Sequence, residues 1–243
     1  MINLEGKTIC ITGAAKRIGR EFAIAAAKAG ASIILHYGHS EAEAHKTAEE
    51  IRQIGSNLEI IQTDFSKPNE SVHRMELAFA KSEYLYALVN NASVFQPLNF
   101  ANTTLASWQT HLDINLTVPF LLSQAFQKTL GKKRGKIINI LDWRALRPGR
   151  DHLPYTISKA GLAALTKTMA LSLAPQIAVN GIAPGAILPP ADGNEANSPI
   201  IENVPIARWA KMDELTDLFL FLLSAPYYLT GEIIHLDGGR HLV

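Results

Sequence analysis

The sequence predicts an α/β fold: one domain over residues 1–243, with an open, doubly wound parallel sheet of about seven strands and helices on both faces. Three observations predict it. Short apolar, β-branched runs alternate with longer helical segments from one end of the chain to the other, which is the pattern of strand–helix–strand units with right-handed crossovers. Several of these runs are apolar nearly throughout, as expected of parallel strands covered on both faces. The chain's 243 residues are 47% apolar and 19% charged. A chain of this length buries roughly 70% or more of its unfolded surface and needs no disulfide or metal to hold a core.

The first strand is expected over Thr8–Thr12, where TICIT is β-branched and apolar and runs into a glycine. A helix follows because Ile18, Phe22, Ala25, Ala26 and Ala29 recur at helical spacing before Gly30 closes the segment. The second strand is Ser32–His36, and Ser40 followed by Glu43 is a capping box opening a helix to about Ile54. Strands are then expected over Leu58–Thr63, Tyr86–Asn90, Lys136–Leu141, Ile177–Ile182 and Glu232–Leu236. Helices are expected over Ser71–Lys81, Leu105–Lys128, Tyr155–Leu173 and Asp213–Leu223. No repeat, low-complexity segment or linker marks a second domain. The stretch from Pro184 to Pro205 is rich in Pro, Gly, Ala and Asn. It reads as a substrate lid or a disordered insertion. Its place after the sixth strand favours the lid, since ligands of open α/β sheets sit beyond the carboxyl ends of the strands.

Composition narrows the function. Twenty-three Lys plus Arg against twenty-two Asp plus Glu leave a net charge of +1, which argues against a dedicated nucleic-acid or anionic-membrane binder. No apolar run reaches the roughly 18 residues of a membrane span, and MINLEGK lacks the basic-then-apolar order of a secretory signal. Cys10 stands alone in an apolar run, consistent with a reducing compartment. A cytoplasmic protein acting on a small molecule is expected. No Cys/His cluster has metal-ligand spacing, and no Gly-x-Ser-x-Gly elbow suggests a hydrolase. His111 and Cys10 read as structural.

The first strand runs into Thr12-Gly13-Ala14-Ala15-Lys16-Arg17-Ile18-Gly19 and then a helix. Gly13 allows the sharp turn and close backbone approach, and Gly19 the packing of helix on sheet. The helix N-terminus offers free N–H groups and partial positive charge to a pyrophosphate. This is the placement of a Rossmann-type dinucleotide loop. The second strand ends His36-Tyr37-Gly38-His39-Ser40, with no acid before Glu41. A carboxylate there would grip the ribose hydroxyls of NAD; its absence, with hydroxyl and imidazole donors and Arg17 nearby, favours NADP(H). The alternative is that His36, Tyr37 and His39 are ordinary polar residues and Arg17 a solvated charge.

Along essentially the whole chain the residues resemble the short-chain dehydrogenase/reductase family. The matching features, in order, are the Thr12-Gly13…Gly19 loop, Asp64, Asn90-Asn91-Ala92, Asn115, Tyr155-x-x-x-Lys159, Asn180-Gly181, Pro184-Gly185 and Asp237-Gly238-Gly239. The resemblance implies that Asp64, with Phe65 beside it, meets the adenine edge. It implies too that Ile18, Asn91, Ala92, Ser93, Pro184 and Gly185 line the cofactor site, that Asn115 positions a relay water, and that Lys159 binds the nicotinamide ribose. Members are usually tetramers built on the two long helices. Three departures point to one branch: Arg17 where a glycine is usual, Asn91-Ala92-Ser93 where Asn-Ala-Gly is usual, and Asp142 in place of the serine thirteen positions before the tyrosine. All three resemble the pteridine and dihydromonapterin reductases. That branch also implies Phe95 stacking the pterin, Arg17 and Ser93 reaching substrate, and His36, Tyr37, His39 and Ser40 at the NADP phosphate.

Tyr155 and Lys159 lie four apart, on one face of a helix. The ammonium would lower the phenol's pKa; about three units corresponds to roughly 4 kcal/mol. Asp142 is the most specific feature. An ionised carboxylate donates no hydrogen bond and repels the alkoxide of carbonyl reduction, but it suits a C=N group that takes up a proton. It would also keep the Tyr155 phenol protonated. The alternative makes Asp142 a strand-end cap. Phe95 has a plain alternative as a buried loop aromatic, and Trp143 and Arg144 line the pocket or pack beneath the lid. The expected function is NADPH-dependent reduction of a dihydropterin or dihydrofolate. A carbonyl reductase such as a 3-oxoacyl-carrier-protein reductase is the second reading, and a non-catalytic NADPH-binding protein the third.

Overall fold

The computed structural model describes residues 2–187 and 199–243. Seven parallel strands form one sheet in the order β3-β2-β1-β4-β5-β6-β7: β1 Thr8–Ile11, β2 Ser32–Tyr37, β3 Leu58–Gln62, β4 Leu85–Asn90, β5 Gly135–Ile140, β6 Ile177–Pro184 and β7 Ile233–Leu236. Each lies within two residues of its expected bounds. The apolar runs forced this result, because β4, β5 and β6 are buried at every position. The helices are α1 Arg17–Lys28, α2 Glu41–Gln53, α3 Pro68–Ala80, α4 Leu105–Leu112, α5 Val118–Leu130, α6 Leu153–Leu173, α7 Pro199–Glu202 and α8 Met212–Ser224.

Two apolar layers sandwich the sheet. One packs Phe22 of α1, Ile51 of α2 and Phe219 of α8 against it, with Phe22 and Phe219 stacked at 4.3 Å. The other packs Met75 and Phe79 of α3, Leu122 and Phe126 of α5, and Met169 of α6. Strand β1 pairs with both β2 and β4. The chain therefore reverses its winding there, and the crevice beyond their carboxyl ends is where an open α/β sheet takes a ligand. A buried polar chain ties the next strands to α6: Asn90 donates to Asn139 at 2.8 Å, and Asn139 to Thr166 at 2.8 Å. It fixes the helix that carries Tyr155 and Lys159.

Two expectations change. The helix expected over Leu105–Lys128 is interrupted by a π turn, Asp113–Thr117. Pro119 has no N–H to return four residues back to the Asn115 carbonyl, and the α ladder opens there. Ser40 occupies the N-cap position of α2 but makes no side-chain cap, so the capping box is not formed. Of the lid expected over 184–205, residues 188–198 lie outside the described residues; β6 reaches Pro184 before them and α7 follows them.

Candidate active site

The glycine loop is held open by its neighbours. The Thr12 hydroxyl donates to the Val89 carbonyl at 3.2 Å and accepts the Asn91 and Ala92 N–H groups at 2.9 and 3.0 Å. Asn91 Nδ2 donates back to the carbonyls of Thr12 and Gly13 at 2.8 and 3.1 Å. Gly13 has φ 64°, and a Cβ on it would lie 2.9 Å from Ala92 Cα, so the left-handed turn and the close approach both require glycine. Arg17 begins α1 at φ 54°, a rare conformation for a side chain of its size. The first turn of α1 has no side-chain cap and no acid, which leaves the positive end of the helix facing the groove.

His36 departs from expectation. Its Nδ1 accepts the Gly13 N–H at 3.1 Å, its Nε2 donates to the Thr63 carbonyl at 3.0 Å, and its ring stacks on Phe65 at 3.9 Å. Burial holds its pKa down at about 4. A neutral ring with both nitrogens engaged cannot serve as a phosphate donor. The correction is that His36 clamps the glycine loop and Phe65 braces it. Tyr37 is buried while His39 is exposed, 3.9 Å from Asp64. Asp64 accepts the Ser66 N–H at 2.9 Å, which holds its pKa down. These residues, with Ser40, Ala92, Ser93, Ile18 and Gly19, line a groove of about 600 Å³. Its glycine floor, exposed helix N-terminus and lack of an acid at the β2 end fit a dinucleotide with a phosphorylated ribose.

Arg17, Ile18, Asn91 and Ser93 also line a second cavity of about 490 Å³, which holds Phe95, Asp142, Tyr155, Lys159, Pro184 and Gly185. The two oxygens of Asp142 have different partners. Oδ1 caps the 3₁₀ turn Trp143–Ala145 by accepting the Arg144 N–H at 2.8 Å. Oδ2 accepts the Tyr155 hydroxyl at 2.9 Å. Burial pushes the Asp142 carboxyl above its usual value, against those hydrogen bonds. Burial and the neighbouring carboxylate push the Tyr155 phenol well above 10. The expected lowering of the phenol by Lys159 is therefore corrected. The ammonium donates to the Ile140 carbonyl at 2.7 Å and sits 5.8 Å from the Tyr155 ring centre, and burial lowers its own pKa to about 8.

Asn115 does not line this cavity. Its amide donates to the Val94 carbonyl and to Ser158, both at 3.0 Å, and accepts the Val94 N–H at 2.9 Å. These bonds make its side chain an anchor of the loop carrying Phe95. Phe95 is 53% exposed, so it is not a buried loop aromatic. It stacks on His152 at 4.0 Å and meets Tyr155 edge-on at 4.6 Å. His152, Trp209 and Arg240 were not foreseen, because each comes from a loop with no periodic signal and reaches the site only through tertiary closure. Trp143 and Arg144 line the cavity. Among the described residues no His/Cys/Asp/Glu group could hold a metal, and no helix is long and apolar enough to cross a membrane.

A family model described as enoyl-(acyl carrier protein) reductase matches residues 13–241. A 3-oxoacyl-(acyl-carrier-protein) reductase of Synechocystis sp. is 31% identical over 98% of both chains. The structure of FolM alternative dihydrofolate reductase 1 from Brucella canis, complexed with NADP, superimposes with a TM-score of 0.90 at 29% identity, covering 99% of this chain and 96% of that one. Acetoin dehydrogenase from Enterobacter cloacae gives a TM-score of 0.90 at 29% identity over 99% and 97%.

Proposed function

The chain belongs to the short-chain dehydrogenase/reductase family, and from that premise we propose that it is an NADPH-dependent reductase of a ring C=N bond in a dihydropterin or dihydrofolate. One observation carries this reading: the Tyr155 hydroxyl donates to a carboxylate, Asp142 Oδ2, at 2.9 Å beside the exposed Phe95 ring. The NADP complex of the similar Brucella canis enzyme supports the cofactor. Gly13, Gly19 and the α1 N-terminus would hold its pyrophosphate. Arg17, Tyr37, His39 and Ser40 would hold the ribose phosphate, with Asp64 at the adenine. NADPH supplies the hydride when bound.

The chain's own residues manage the proton. Burial and Asp142 keep it on Tyr155 until a ring nitrogen accepts it, and the raised pKa of Asp142 brings that carboxyl closer to working pH, where it can return a proton to the phenol. Phe95 provides the flat face on which a pterin stacks. Lys159 lies beneath as a buried cation, and its value of about 8 fixes the sign of a pH effect. The ammonium is charged below that value and lost above it. The kcat/KM for NADPH is expected to be level below pH 8 and to fall as pH rises through it; a profile flat to about pH 9.5 would contradict this role.

The relationship to 3-oxoacyl-carrier reductases favours carbonyl reduction as the second reading. NADPH oxidation with dihydromonapterin, dihydrobiopterin and dihydrofolate, set beside an acetoacetyl thioester, separates the two. Turnover of the pterins is expected, faster with NADPH than with NADH, and turnover of the thioester alone would refute the pterin reading. We place the protein in the cytoplasm as a homotetramer. Exposed Leu105 and Phe120 on α4 and α5, and Ile157 and Leu171 on α6, provide apolar area for its interfaces, and the mass in solution tests this.

A further inference from the structure

We propose that His152 is a positioning residue that acts through Phe95: its imidazole covers one face of the Phe95 ring and leaves the other as the stacking wall of the substrate cavity. This rests on the pterin reading and adds to it the residue that orients the wall. The two rings lie 4.0 Å apart and within 7° of parallel. Phe95 lines the cavity with Asp142 and Tyr155, whereas His152 is not among its lining residues. His152 therefore stands behind Phe95, on the side away from the cleft, and a flat substrate has one face of Phe95 to meet.

The imidazole is itself held. Its side chain is only 14% exposed, and Nδ1 lies 2.9 Å from Asp151 Oδ2, a carboxylate that also pairs with Arg144 at 3.2 Å. The His152 backbone takes φ 54° and ψ 41°, the left-handed region that a side chain of this size rarely adopts. Such an outlier marks a position fixed by its surroundings; here it sets the ring at the N-cap of α6, three residues before Tyr155. The loop bearing Phe95 is tied on both sides. Asn115 holds the N–H and carbonyl of Val94, and the Leu153 N–H donates to the Leu98 carbonyl at 2.7 Å. Those bonds fix the backbone and leave the half-exposed ring free to turn. Two rings bear on it: His152 face to face, and Tyr155 edge-on at 4.6 Å. Without the imidazole, Phe95 would have to be ordered by the arriving substrate, which weakens binding. The proton route from Asp142 to Tyr155 does not pass through His152, so the effect belongs to binding and not to the chemical step.

The test is calorimetric titration of biopterin into the protein saturated with NADP⁺, beside steady-state kinetics with dihydrobiopterin. His152→Asn removes the ring but keeps a residue that tolerates left-handed backbone. His152→Phe keeps a ring that can stack and gives up the contact with Asp151. The Asn variant is expected to bind biopterin about tenfold more weakly and to raise KM by a similar factor. Its kcat and its NADPH dissociation constant should stay within about twofold of wild type, and the Phe variant should keep most of the biopterin affinity. NADPH binding reports that each variant is folded, and a parallel loss of it would mean a general loosening of the site and overturn the proposal. A fall in kcat with KM unchanged would overturn it too, as would Asn and Phe variants that bind biopterin equally weakly. Equal binding by wild type and the Asn variant would overturn the role of His152 and leave the pterin reading standing. Wild-type protein that binds no biopterin would overturn both together.

Discussion

Replacing Asp142 by serine is expected to reduce pterin turnover by about a hundredfold or more, with the NADPH dissociation constant changed by less than about threefold. The substitution restores a donor where the site holds an acceptor. Tyr155 loses the carboxylate it donates to at 2.9 Å and with it the route by which its proton is replaced. The fold has no reason to fail. Serine is itself a good cap for the turn that Asp142 now opens through Arg144, and the change removes a buried carboxyl. Burial has raised the folded-state pKa of Asp142, so its ionised form costs stability once pH exceeds the ordinary carboxylate range. Thermal stability at neutral pH should therefore be kept or raised while activity is lost, an opposition that a merely structural role would not produce. Steady-state kinetics, cofactor titration and a melting curve on the same preparation check all three, and unchanged pterin turnover would refute the role given to this carboxylate.

What was readable in the chain and what was not have separate physical causes. The strands were readable because a sheet covered on both faces demands uninterrupted apolar runs, and Ile137–Ile138 or Ile33–Leu35 can do little else. Tyr155 and Lys159 were readable because the family resemblance singles out the pair and helical spacing puts them on one face. The same burial that made the strands legible explains the error at His36. A polar residue at the end of a doubly covered strand is itself covered, and at His36 the covered imidazole spends both nitrogens internally. The loss of the Lys159 effect on Tyr155 has a similar origin: pairing rules from spacing say nothing of a carbonyl, here that of Ile140, that competes for the ammonium. Pro119 was the available sign of the π turn. His152 and Arg240 carried no sign, since nothing in local sequence reports which loops converge.

Gly19→Ala offers the largest effect on the cofactor side. In an exposed helix this change would gain about 1 kcal/mol, so propensity predicts a stabilised protein. Packing reverses the sign. A Cβ at Gly19 would stand 2.5 Å from Asn91 Nδ2, nearer still to the Gly13 carbonyl oxygen, and 3.0 Å from Ala14 Cα. Two of these neighbours are backbone, and the third is the amide that bonds the Thr12 and Gly13 carbonyls. None can move without opening the loop that His36 and Asn91 hold in place. The expected result is a lower melting temperature together with an NADPH affinity weakened about tenfold or more. The two losses share one displaced loop, so they should appear together. Stability lost with affinity intact would mean that the groove beside α1 is not where the pyrophosphate binds. A variant that bound NADPH normally and melted higher would show that helix propensity outweighs this contact, and the packing argument for the loop would fail.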